Sequence, residues 1–308
     1  MPRRLLLCLM LALLSCGASR AETAAQILQR NKALPDYSLL HGKLDNYGKS
    51  MIWVFIGNSV TQGAMHTHGG RSYEEHISEI IRWEYKRGMG DRKGDLFINA
   101  AESGEGTRAF FEREEWQLQQ FKADVVFIYL GNKVSSIEEY QSHLTTIVRH
   151  IRKQGAIPVL EVPCPSPSQT NSYASVRAVA DREDCLLVDH HAYWHELVGG
   201  NGDKPEWKNN AMHPNAAGHL VMAHAIVKEL GIEPNGSRVL ALPIPHMPAK
   251  PKEADAAPPP ASPPASESES QDKETPARKD KTYSARELRE KYNNILKRKR
   301  RPSHKSRR

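Results

Sequence analysis

The chain has 308 residues and is 39% hydrophobic, 26% charged and 7% aromatic, which suits one globular domain with extensions and excludes a wholly disordered chain. Its four cysteines are too few for a disulfide scaffold, and no apolar run of about 20 residues follows the N-terminus, which excludes a multi-span helical membrane protein. The net charge of +7 misleads as one number: residues 282–308 hold eleven Lys/Arg against two Glu, so the basicity belongs to the tail and the folded part is mildly acidic. A basic tail implies an anionic partner without making the domain a specific nucleic-acid binder.

Residues 1–21 read as an export signal. Arg3 and Arg4 form the charged start, and residues 5–14 are an apolar run of signal-peptide length. Two cleavage readings compete. Ser19-Arg20-Ala21 offers small residues where a signal peptidase reads, whereas Leu13-Leu14-Ser15-Cys16 resembles a lipobox that would lipidate Cys16. Both place the mature chain outside the cytoplasm, periplasmic or secreted, with lipid anchoring through Cys16 as the second form.

Residues 22–50 form a mixed N-terminal extension with room for a helix packed on the domain. From 51 to 230 short apolar runs alternate with amphipathic stretches. The runs at 51–56, 96–100, 125–130, 157–162 and 186–188 are rich in β-branched residues and read as strands buried on both faces. Helical patterns lie near 73–87, 107–121, 136–153, 171–182 and 215–230, the last with Pro214 in its first turn. This alternation predicts an α/β fold with a parallel sheet covered by helices on both faces. The domain extends over 51–245. Residues 246–281 are a Pro/Ala/Ser/Glu-rich linker with the composition of disorder, and 282–308 are the basic tail, with five consecutive basic residues at 297–301. An electrostatic tether to an anionic envelope polymer or phospholipid fits that tail; a solvated charge run without a partner is the other reading. Cys164 and Cys185 lie at the ends of apolar runs. Oxidation to a disulfide outside the cytoplasm and two small buried thiols are both open.

Ligands of parallel sheets sit at the carboxyl ends of the strands, so the residues after each run matter most. After the first run comes Gly57-Asn58-Ser59-Val60-Thr61-Gln62-Gly63, where a tight turn would expose the Ser59 hydroxyl. After the second comes Glu102-Ser103-Gly104-Glu105-Gly106, and Gly104 could bring a bare N–H to a ligand. After the third comes Gly131-Asn132-Lys133, whose Asn132 amide is a donor. Downstream lies Asn210-Ala211-Met212-His213-Pro214-Asn215. Acyl transfer needs this set: a hydroxyl, an imidazole to take its proton, and donors aimed at the developing oxyanion.

Those four segments resemble the blocks of the SGNH (GDSL-like) hydrolases. The resemblance spans about 51–230 and implies a three-layer α/β/α sandwich around a flavodoxin-like parallel sheet of about five strands. It implies Ser59 as nucleophile and His213 as general base. Ser59 N–H, Gly104 N–H and the Asn132 side chain would form the oxyanion hole. No metal and no organic cofactor is implied, and the substrate would be a small-molecule or glycan ester. The chain departs from the family pattern at three places. Asn210 stands where an Asp usually precedes the His by three residues; Asn58 replaces an Asp before the nucleophile; Lys133 replaces an Asp after Asn132. The first departure bears on catalysis, because in a serine protease the same exchange costs about 10⁴ in rate through the wrong imidazole tautomer. Asn210 Oδ1 could still accept from His213 Nδ1–H, and Asp203 and Glu206 are nearby in sequence.

His66 and His68 follow the nucleophile turn and are candidates for substrate contact, as is Trp207, three residues before Asn210. His66, His68, His190 and His191 lack a third partner at metal-ligand spacing and read as solvated loop histidines near the pocket rim. Asp189, ending the fifth run, reads as structural. The sequence thus supports an exported ester hydrolase acting on an acylated carbohydrate. A non-catalytic carbohydrate- or envelope-binding protein on the same fold is the alternative, motivated by Asn210 and the tail.

Overall fold

A computed structural model describes residues 22–63, 66–85, 94–131, 134, 136–199 and 204–242. Residues 1–21 with Cys16, Asn132, Lys133, Asp203, and residues 246–281 and 282–308 lie outside the described residues.

Five strands build one parallel sheet. They are β1 (Ile52–Gly57), β2 (Leu96–Asn99), β3 (Val125–Tyr129), β4 (Ile157–Val162) and β5 (Leu186–Asp189). Their order is β2-β1-β3-β4-β5, the doubly wound order in which the chain reverses direction between β1 and β3. Register runs through the centre, with Phe55 opposite Phe127 and Phe127 opposite Val159. The expected α/β sandwich is therefore what the chain forms.

Period-two alternation sorts each strand's side chains onto two faces. Trp53 and Phe55 point into one core with Phe127, Ile77, Leu220 and Ile226; Val54 and Ile56 point into the other with Ile128, Leu144, Ile147 and Val179. Phe55 and Phe127 stack with centroids 4.5 Å apart. Helices α1 (Ala24–Lys32) and α2 (Pro35–Asp45) come from the N-terminal extension. They are integral to the cores, because Ile27, Leu40 and Leu44 are fully buried. Asn31, also fully buried, covers the edge of β5: its amide accepts from Leu187 N–H and donates to Leu187 O. This single amide satisfies edge groups that a sixth strand would otherwise pair.

Three expectations change. β2 is not buried on both faces; Leu96 is 49% exposed because β2 is an edge strand with β1 as its sole neighbour. The helix expected at 73–87 is α4 (Tyr73–Glu79) followed by a π-helical turn, Ile80–Glu84. Pro214 is not within the first turn of α9 (Ala216–Glu229); Asn215 caps that helix, its Oδ1 accepting from Ala217 and Gly218 N–H. Cys164 and Cys185 are buried free thiols. Burial in an apolar core pushes the Cys185 thiol up to about 12.

Candidate active site

The Ser59 segment is shaped by crowding at Gly57. A Cβ there would lie 2.2 Å from Thr61 Oγ1 and 2.9 Å from the Tyr129 carbonyl, so only glycine lets β1 turn immediately into the short helix α3 (Ser59–Gln62). Asn58 caps α3, its Oδ1 accepting from Val60 N–H at 3.0 Å. Gly63 ends it at φ 68°, a left-handed conformation that glycine adopts without strain. Asn58 thus serves as the cap of α3, a role that Asn and Asp fill equally well.

The loop after β2 is fastened to this turn. Glu102 N–H donates to Gly57 O at 3.0 Å, Ser103 N–H to Gln62 Oε1 at 3.1 Å, and Asn99 Nδ2 to Thr61 O at 2.8 Å. Gly104 sits at its exposed tip with φ 82°. The loops after β2 and β3 touch through a parallel bridge between Gly106 and Gly131. Gly131 immediately precedes Asn132.

His213 arrives on a closed loop. Lys208 and Pro214 form an antiparallel bridge, Asn209 N–H donates to His213 O at 2.9 Å, and Asn215 N–H donates to Trp207 O at 3.0 Å. Gly218 on α9 lets this loop dock: a Cβ there would stand 2.2 Å from the Trp207 carbonyl. The Trp207 ring is half-buried and meets fully buried Trp194 edge-on at 5.1 Å.

These constraints bring two distant residues together. Ser59 Oγ lies 2.8 Å from His213 Nε2, although 154 positions separate them. On the other side of the ring, His213 Nδ1 is 3.0 Å from Asn210 Oδ1. The same oxygen accepts the backbone N–H groups of Met212 at 2.9 Å and His213 at 3.0 Å. Backbone N–H groups can only donate, so the oxygen end of the amide must face them. Nδ1 therefore carries the hydrogen and Nε2 presents its lone pair to the serine. Glu206 is exposed, and it is Asn210 that meets Nδ1. Partial burial, and secondarily any positive charge on nearby His66, hold the His213 imidazole below its ordinary pKa, so it is neutral and able to accept a proton near neutral pH.

His66 lies flat against His213, with ring centroids 3.6 Å apart and an interplanar angle of 13°. Asn209 joins His66 to His68, contacting His66 Nδ1 at 3.0 Å and His68 Nε2 at 2.9 Å. Sequence puts His66 and His68 just after the Ser59 turn, but the stacking on His213 and the part played by Asn209 are visible only in the fold. No one-dimensional signal encodes a contact across 143 positions.

Contrary to the sequence expectation of solvated loop histidines, His190 and His191 lie in a helix and His190 is buried. They open α8 (His190–Val198). His190 is buried, with Nε2 3.0 Å from Glu161 Oε1; Tyr73 OH donates to the other carboxylate oxygen at 3.0 Å and pairs with Thr61 Oγ1 at 2.9 Å. Burial, then the Glu161 charge, holds the Tyr73 phenol well above its usual range, so it remains a donor. A buried polar chain thus runs from the core to Thr61 in the Ser59 helix. Its one sequence signal was Glu161 inside an otherwise apolar run. Asp189, fully buried, accepts from Arg177 at 2.6 and 3.0 Å, a structural pairing. Among the described residues no group of three His, Cys, Asp or Glu side chains could hold a metal ion.

A doubly wound sheet with a serine–histidine pair at its carboxyl edge is the architecture of a class of α/β hydrolytic enzymes. The chain belongs to the GDSL-like lipase/acylhydrolase family, whose family model matches residues 55–221. Solved structures of similar fold include two variants of Axe2, an acetylxylan esterase from Geobacillus stearothermophilus. Both are 22% identical, with TM-scores of 0.50 and 0.51; they cover 61% and 59% of this chain and 97% and 95% of their own. A protein assigned as a GDSL-like lipase from Parabacteroides merdae is 17% identical, with a TM-score of 0.50, covering 60% of this chain and 97% of its own. The comparison with curated proteins gave no match.

Proposed function

We propose that the chain is an exported serine ester hydrolase that removes acetyl or other short acyl groups from a carbohydrate. The observation that carries this reading is the 2.8 Å contact between Ser59 Oγ and His213 Nε2, with the tautomer set from the far side by Asn210. Ser59 Oγ attacks the ester carbonyl while His213 Nε2 takes its proton. The tetrahedral oxyanion is met by Ser59 N–H, Gly104 N–H and the Asn132 side chain. His213 then gives the proton to the leaving alcohol, and the acyl group remains on Ser59. Water, deprotonated by His213 Nε2, attacks the acyl carbonyl; as the bond to Ser59 Oγ breaks, His213 returns that proton to the serine and the acid leaves. No cofactor is required. The acetylxylan esterase activity of structural neighbours supports an acetylated carbohydrate as substrate. The sequence of residues 1–21 supports export, and that of 282–308 supports a tether to an anionic envelope polymer or phospholipid.

Hydrolysis of p-nitrophenyl acetate and of acetylated xylooligosaccharides by wild type and Ser59→Ala tests the reading. Turnover in wild type that is lost in the variant is the expected result, with a fluorophosphonate labelling Ser59. Background rates in both proteins on both substrates would leave the second reading, a non-catalytic carbohydrate-binding relative. The neutral Asn210 beside the imidazole is the feature that favours it.

A further inference from the structure

His213 is held on three sides. In its plane Nε2 meets Ser59 Oγ at 2.8 Å and Nδ1 meets Asn210 Oδ1 at 3.0 Å. Across one face lies the His66 ring, 3.6 Å away and nearly parallel. His66 is itself fastened. Asn209 Nδ2–H donates to its Nδ1 at 3.0 Å, and Asn209 Oδ1 accepts from His68 Nε2–H at 2.9 Å. Asn209 N–H also closes the loop that carries His213, through the His213 carbonyl. One residue thus fixes both members of the stack.

The chemistry gives this stack a task. When His213 takes the Ser59 proton it becomes an imidazolium. A carboxylate on Nδ1 would stabilise that charge; Asn210 offers a dipole and no charge. The π face of a neutral ring attracts a cation placed over it, whereas a protonated His66 would repel it and lower the proton affinity of His213. His66 is kept neutral because its Nδ1 lone pair receives the Asn209 N–H. Burial, and then the charge of His68, also lower its proton affinity.

We propose that His66 is a positioning residue for His213: its stacked neutral ring holds the imidazole in the plane of Ser59 and Asn210 and stabilises the imidazolium through its π face, in part replacing the absent carboxylate. This rests on the Ser59–His213 reading above. It assigns His66 to the base, in place of the substrate contact suggested by its position in sequence.

Three variants separate the π face from mere packing. His66→Phe keeps a flat π system, His66→Leu fills the space without one, and His66→Ala empties it. With p-nitrophenyl acetate, Leu and Ala are expected to lower kcat about ten-fold at unchanged KM, and Phe to restore it to within about three-fold of wild type. Leu as active as Phe, all three like wild type, or a rise in KM at unchanged kcat would each overturn the proposal. The last would return His66 to substrate contact. Wild type no faster than Ser59→Ala would instead overturn the hydrolase reading. A second readout stands without turnover. In a Ser59→Ala background, NMR titration of the His213 ring should give a pKa about one unit higher in the His66→Phe variant than in the His66→Leu variant, the shift equivalent to a ten-fold effect. Equal values would overturn the proposal.

Discussion

Asn210 Oδ1 and His213 Nδ1 stand 3.0 Å apart, and the same oxygen is held by two backbone N–H groups of its own loop. In a serine protease an Asn at the acid position costs about 10⁴ because the wrong tautomer results. Here the amide cannot turn its NH2 toward the ring without facing two backbone donors with a third. Asn210 thus orients the ring, and it does so without a charge.

Asn210→Asp should therefore accelerate p-nitrophenyl acetate hydrolysis. A hydrogen bond to a charged acceptor is roughly twice as strong as a neutral one, a difference of about 1 kcal/mol, so kcat/KM should rise on the order of five- to ten-fold. Asn210→Ala should lower it by at least as much, since Nδ1 loses its acceptor and the loop loses its Asx turn. Steady-state kinetics at one pH on the plateau checks both. An Asp variant slower than wild type would contradict the placement of Asn210 at the acid position.

The activity should persist into mild acid. Hydrolysis needs neutral His213, and burial holds its pKa below the ordinary value. Activity is then complete above that pKa and falls as pH drops through it. The acid limb of kcat/KM should have its midpoint below about 6.5. In Asn210→Asp the added carboxylate favours the imidazolium, so the midpoint should move up. A pH–rate profile measures both shifts.

Gly57→Ala should damage stability and activity together. The added Cβ meets Thr61 Oγ1 at 2.2 Å and the Tyr129 backbone carbonyl at 2.9 Å, and the carbonyl cannot swing aside without disturbing β3. Overpacking of this kind costs about 2–3 kcal/mol, equivalent to a fall in Tm of roughly 5–10 °C for a domain of this size. Because Thr61 belongs to the Ser59 helix, kcat should fall even below the melting transition. Differential scanning calorimetry and kinetics at low temperature test the two parts.

Arg177→Met should destabilise the fold and spare the chemistry. Asp189 is fully buried and its carboxylate is paired by the Arg177 guanidinium at 2.6 and 3.0 Å. Removing the cation leaves a buried charge without its counterion, a loss of about 3 kcal/mol. Adding Asp189→Asn should recover part of the loss, because Asn can still accept from Ala192 N–H at the start of α8. Denaturant midpoints of the single and double variants measure the coupling.

The order of elements was legible in the sequence because each depends on neighbours along the chain. Continuous apolar runs such as 125–130 mark strands covered on both sides, and the helical periodicity of 136–153 corresponds to α6 (Ile137–Lys153). The edge position of β2 was not legible, since its apolar run looks like that of an interior strand. The burial of His190 was also hidden: its partners Glu161 and Tyr73 come from other elements.

By itself the sequence determined the alternating α/β pattern, the turn that exposes Ser59, and the presence of Asn, rather than Asp, three residues before His213. These are local properties of residue type and spacing. Only the tertiary structure decided that Ser59 and His213 meet, that Asn210 faces the ring with its oxygen, and that His66 covers the face of His213. Such relationships arise from parallel strand register and loop docking at Gly57 and Gly218. Both bring together groups far apart in the chain, and residue spacing carries no record of that.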